Sequence, residues 1–142
     1  MKRLLPQHPK AQQLHPNLLA LLNAGICVRG DYVFLAKLLS ERQIPTLDRV
    51  GDETGIEVFV NSFHTDDYIE DDHLPQALAF ASAEIELWAE KHDFGSHEAL
   101  SIVITVTEYG VNIKLFKNRP QQPYLSDRLE DYPEPVMLIR FP

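Results

Sequence analysis

A chain of 142 residues is the size of one domain and long enough to bury a substantial core. Its 44% apolar and 24% charged residues are ordinary for a globular protein and argue against global disorder, and its single cysteine, Cys27, excludes an internal disulfide. A net charge of −8 opposes contact with nucleic-acid phosphates or anionic lipid, so neither is expected as a partner.

The chain opens Met1-Lys2-Arg3-Leu4-Leu5-Pro6, where proline interrupts any signal-peptide core, and no stretch approaches the roughly 20 apolar residues of a spanning helix. A cytoplasmic protein is expected. Residues 1–16, punctuated by Pro6, Pro9 and Pro16, read as an N-terminal arm, and residues 17–142 as a single α+β domain. Asn17 is placed to cap a short helix over Leu18–Leu22, which Gly25 stops. Asp31 is placed to cap a second helix, in which Phe34, Leu35, Leu38 and Leu39 recur at helical spacing until Ile44-Pro45.

After a turn-rich stretch from Asp48 to Gly55, Ile56-Glu57-Val58-Phe59-Val60 alternates with period two and is rich in β-branched residues, which predicts a strand. The clearest helix covers residues 74–92. Leu74, Leu78, Ala81, Ile85 and Trp88 lie on one stripe, widened by Phe80 and Leu87. Ile102–Thr107 and Val111–Phe116 flank Glu108-Tyr109-Gly110 and read as a β-hairpin, with Ile102, Ile104 and Val106 facing the same side as Val111, Ile113 and Leu115. Residues 118–135 form a proline-rich loop, with one helical turn near Leu125 and Leu129, before a last strand over Val136–Phe141. The order α-α-β-α-β-β-β predicts an α+β fold: a single mixed sheet of about four strands, helices on one face, and a right-handed crossover through the long helix.

Charge is concentrated as well as negative. Eleven carboxylates and no Lys or Arg fall between Val50 and Glu90. The density peaks over His64–His73, with five carboxylates and two imidazoles in ten residues. Helix capping uses one or two such groups, at about 0.3–1 kcal/mol each, and does not account for five. The remainder repel one another unless a cation or basic partner relieves them.

A metal reading would draw on His64, Asp66, Asp67 and His73, yet their spacing matches no zinc-helix or EF-hand template, so no metal and no cofactor is expected. Glu84 falls between Phe80 and Trp88 on the helical wheel. A carboxylate there is either a buried acid with a raised pKa or, more commonly, a residue at the stripe's margin with its head in water, which is the reading preferred. Gly25 and Gly30 have the spacing of phosphate-loop glycines, but Asp31-Tyr32 stands where Lys-Ser/Thr is required. Cys27 reads as a core thiol, and His97-Glu98 has no nucleophile assigned beside it. No nucleophile elbow or dinucleotide fingerprint occurs, and no enzyme is identified.

The leading expectation is therefore a small acidic protein-binding module: an inhibitor or immunity-type protein that neutralises a basic partner such as a nuclease toxin. Asp66, Asp67, Tyr68, Glu70, Asp71 and Asp72 would form the contact, with Tyr124 and Tyr132 as further aromatic anchors. The alternatives are a metal-dependent or acid/base hydrolase built on the His64–His73 loop, and a structural subunit of a larger assembly using the arm and the 118–135 loop.

Overall fold

The computed structural model describes residues 14–91, 99–119, 121–124 and 134–141. Most of the N-terminal arm, His97-Glu98, Tyr132 and the turn expected near Leu125 and Leu129 lie outside the described residues. Helix α1 (Pro16–Ala24) starts with proline at its first turn, where the missing N–H breaks no helical bond. Its cap is His15, whose Nδ1 accepts from the Asn17 N–H, so Asn17 is not the cap that its residue type suggests. Gly25 (φ 83°) ends the helix in a conformation that an L side chain resists. Leu18, Leu21 and Leu22 face the core.

The helix expected from Asp31 is instead a β-hairpin of β1 (Ile26–Arg29) and β2 (Tyr32–Leu35), followed by the six-residue helix α2 (Ala36–Glu41). Gly30 (φ 61°) and Asp31 make the two-residue turn, the II′ pattern that matches strand twist. Phe34 and Leu35 are both fully buried, and because successive side chains of a strand point to opposite faces, β2 is covered on both. Leu35 enters the main core, while Phe34 forms a second cluster with Ile56 and Val60.

After the single turn α3 (Leu47–Val50), residues Glu53–Val60 form helix α4, correcting the strand expected over Ile56–Val60. Asp52 caps α4 by accepting from the Gly55 N–H at 2.8 Å, and the Gln122 side-chain oxygen accepts from the Glu53 and Thr54 N–H groups. Period-two burial would bury Phe59 with Glu57; instead Glu57 is 0% exposed and Phe59 is 45% exposed.

The main sheet has the order β3-β5-β4-β6, from β3 (Ser62–His64), β4 (Leu100–Val106), β5 (Val111–Lys117) and β6 (Val136–Phe141). Every neighbouring pair is antiparallel, so the expected mixed sheet is not formed. Among the described residues, two antiparallel sheets, of two and four strands, and five helices make the fold α+β. β3 and β4 run the same way with β5 between them, and helix α5 (His73–Lys91) crosses from one to the other. The β4–β5 hairpin has the expected register, Ile102↔Leu115, Ile104↔Ile113 and Val106↔Val111.

Helix α5 packs on β4, β5 and β6 and against α1. Its buried face is rotated from the expected stripe: Leu74 is 39% exposed, while Ala77, Phe80, Ala81, Glu84 and Trp88 are buried. Glu84, at 1% exposed, stands in the middle of that face beside a small cavity lined by Gly25, Ile26, Leu87 and Trp88. Its expected place at the margin is therefore corrected. Cys27 is half-buried rather than a core thiol.

Candidate functional site

The acidic loop leaves β3 through a 3-10 turn, Thr65–Asp67, and reaches α5 at His73. Two alternating sets of residues build it. Thr65 and Ile69 are buried, and Tyr68 is half-buried with its ring edge-on to Phe63 at 5.4 Å. The Tyr68 and Ile69 N–H groups donate to the Thr65 carbonyl, while the Asn17 side chain donates to the Tyr68 carbonyl at 2.8 Å. The other set, Asp66, Asp67, Glu70, Asp71 and Asp72, is exposed. Asp72 adopts φ 57°, a left-handed conformation that Asp tolerates better than most residues, and its carbonyl accepts from the Gln76 N–H as α5 begins.

Thr65 is the tie between loop and sheet. Its hydroxyl accepts from the Val111 N–H at 3.0 Å and lies 2.8 Å from His73 Nδ1. Gly110 allows this approach. A methyl group built on it would stand 3.0 Å from His73 Nδ1, 3.0 Å from the Thr65 hydroxyl and 3.3 Å from an Asp66 oxygen. Burial raises the Tyr68 phenol above its ordinary pKa, and the nearby Glu41 carboxylate adds to this.

The hydrolase reading needs the two histidines and the loop acids to converge. His64 instead lies at 3.4 Å from the Asn112 side-chain nitrogen, and His73 is turned to Thr65. Among the described residues no group of three or more His, Cys, Asp or Glu side chains is placed to hold a metal ion. Tyr124 is not brought to the loop. It packs on Phe116, at the opposite end of β5 from Val111 and about 17 Å along the strand at ~3.4 Å per residue.

One group that the sequence reading missed organises the other side of the molecule. The buried Glu57 carboxylate accepts from the Val33 N–H, the Lys117 N–H and both terminal nitrogens of Arg119. Asn61, one turn later at the C-cap of α4, accepts from the Leu35 N–H and donates to the Val33 and Leu115 carbonyls. Burial alone would lower the Arg119 pKa. Hydrogen bonding and charge from Glu57, with the charges of Asp31 and Glu53, more than offset it and raise the pKa overall. Arg119 also lies over the Tyr32 ring at 5.8 Å and donates to the Asp31 carbonyl. This network docks the β1–β2 hairpin onto β5 through side chains. It is a fold device, and the signal that could have found it is the i, i+4 pair of polar residues, Glu57 and Asn61.

Fold and loop together define a small α+β protein that displays an ordered acidic surface. Among the described residues no helix is long and apolar enough to cross a membrane. The chain belongs to the uncharacterized protein PM0498 family, whose pattern matches residues 1–141. No curated protein and no solved structure matches it.

Proposed function

We propose that this protein is an acidic protein-binding module of the inhibitor or immunity type, which uses the loop Asp66–Asp72 against a basic partner such as a nuclease. The observation that carries the reading is the division of labour within seven residues. Tyr68 and Ile69 fasten the loop to the core, and the five carboxylates between and around them are left to solvent. A fastened loop presents its charges with little ordering cost on association, and a dense negative field accelerates encounter with a cationic surface. The exposed part of Tyr68 supplies the aromatic contact at the centre of that surface, and Tyr124 belongs to a separate face.

The reading is tested by capture from lysate on the wild-type chain and on the Asp66→Asn, Asp67→Asn, Asp71→Asn, Asp72→Asn variant, at low and high salt. A basic protein retained by the wild type, released by salt and absent from the variant supports it. Unchanged retention by the variant refutes it.

A further inference from the structure

We infer that the outer edge of β1 is a docking site for an extended acidic peptide segment of a partner protein, which adds to the hairpin as a third strand. This surface is separate from the acidic loop, opposite to it in charge, and independent of the proposed use of that loop.

The inference begins with the turn. A two-residue loop at Gly30-Asp31 makes Arg29↔Tyr32 a hydrogen-bonded pair, and alternation makes Cys27↔Phe34 the next. The N–H and C=O groups of Ile26, Val28, Val33 and Leu35 therefore point away from the partner strand. On β2 the outward groups are met by α4: the Val33 and Leu35 N–H groups donate to Glu57 and Asn61, and the Val33 carbonyl accepts from Asn61. On β1 the equivalent groups of Ile26 and Val28 have no hydrogen-bond partner among the described residues. Val28, at 52% exposed, leaves this edge open to approach.

The chemistry beside the edge selects the occupant. Cys27 and Arg29, which share one face of β1, border an open groove of about 460 Å³ that continues past Arg42 and Ile44. A second groove of about 480 Å³ runs on to Arg49 and Phe59. Among the described residues, three guanidiniums line the pair and no carboxylate does. Arg29 and Arg49 make no ion pair among the described residues, and Arg42 is held by the Val60 and Ser62 carbonyls, which leave its charge uncompensated. Ile44 and Phe59 supply exposed apolar area along the same path.

A strand carrying carboxylates between apolar residues satisfies all of these features at once. The alternating donors and acceptors of the edge complement another polypeptide and not a phosphate backbone. A second copy of β1 would bring two arginine-lined grooves and two chains of net charge −8 together, which like-charge repulsion opposes.

The test is fluorescence anisotropy on the full chain with a labelled, acetylated heptapeptide that alternates aspartate and valine. The controls are its lysine-for-aspartate counterpart, the acidic peptide N-methylated along one edge, and oligothymidylate of ten nucleotides. The acidic peptide should bind at least tenfold more tightly than each control, and at saturation the Ile26 and Val28 amides should exchange more slowly. Arg29→Glu should weaken binding of the acidic peptide and narrow the preference for aspartate over lysine. Val28→Pro, which removes an outward N–H and no hairpin bond, should abolish binding at an unchanged Tm; if it unfolds the chain, Arg29→Glu and the N-methylated peptide decide. Four results would overturn the inference: no acidic-peptide binding, equal binding of the N-methylated peptide, tighter binding of oligothymidylate, or protection of Ile26 and Val28 by self-association alone.

Discussion

Glu57 and Arg119 meet as a two-pronged ion pair, 2.6 and 3.0 Å between the carboxylate oxygens and the guanidinium nitrogens, where the β1–β2 hairpin, α4 and β5 come together. The same carboxylate holds two backbone N–H groups, Val33 on the hairpin and Lys117 on β5. Removing either partner leaves the other buried without its counter-charge, so Glu57→Gln and Arg119→Met should each cost about 3–5 kcal/mol in urea denaturation. Replacing both by apolar residues often restores stability when a buried pair stands alone. Here Glu57→Leu with Arg119→Met should remain destabilised, because the Val33 and Lys117 N–H groups lose their acceptor. A double variant as stable as wild type would show that the backbone bonds contribute little.

Gly110 should resist replacement for steric rather than conformational reasons. The new methyl group of Gly110→Ala would press on Thr65 and His73 at 3.0 Å, and overpacking of this kind costs about 1–3 kcal/mol. Adding His73→Ala should recover part of the loss by making room. If the double variant is less stable than Gly110→Ala by the full cost of His73→Ala, the clash lies elsewhere.

Neutralising Asp66, Asp67, Asp71 and Asp72 to Asn should leave Tm unchanged or raise it, since like-charge repulsion is relieved and asparagine also tolerates the left-handed conformation of position 72. Association with a basic protein should slow, and the difference from wild type should shrink as added salt shortens the screening length below about 8 Å. Stopped-flow mixing across a salt series measures both. A quadruple variant that unfolds would make the loop structural.

Stability should depend on pH at both ends. The Lys117 ammonium, hydrogen-bonded to Asp31 at 2.8 Å, holds that carboxyl below its ordinary 3.8. A lowered folded value means that the pair contributes above about pH 3.8 and that the contribution is lost as pH falls through the folded pKa. Asp31→Asn should therefore lose its deficit relative to wild type in strong acid. Burial raises the Tyr68 phenol above its ordinary 10.0, so its contribution is complete below pH 10.0 and lost as pH rises through the folded value. Tyr68→Phe should flatten the alkaline limb of the Tm–pH curve, and an unchanged limb would place the loss elsewhere.

The elements legible in the sequence are those whose residue types and spacing match the element that forms. The β4–β5 hairpin was legible because two runs rich in β-branched residues flank a short turn containing Gly110, although Ser101, Val103, Asn112 and Phe116 are buried as well as Ile102, Ile104, Ile113 and Leu115. Residues Tyr32–Leu35 and Glu53–Val60 misled because their apolar spacing imitates a different element from the one that forms. Phe34 and Leu35 are apolar in succession because β2 is covered on both faces, which imitates helical spacing when read with Leu38 and Leu39. In α4 and its C-cap the buried positions include Glu57 and Asn61, polar residues whose value lies in partners distant in the chain. Hydrophobic periodicity does not register a carboxylate that is buried because four donors surround it. The acidic loop was legible as charge, while its attachment through Thr65, Tyr68 and Gly110 depended on contacts between segments more than 40 residues apart.

Because Glu57 and Asn61 stand where strand-to-strand bonds would otherwise run, the hairpin is joined to the main sheet by side chains that water can solvate well. Each hairpin forms from local contacts on its own, in about 1–10 μs for this class of element, and the seam between them closes only when α4 is in place. Parting that seam exposes a carboxylate, an amide and a guanidinium and also unpacks Phe34 from Ile56 and Val60 and Leu35 from the main core, so the polar and apolar contacts should open in one cooperative step. The Val33, Leu35 and Lys117 amides, on two different sheets, would then share one exchange rate. The two sheets are in this sense coupled through α4, whose polar and apolar contacts open and close together.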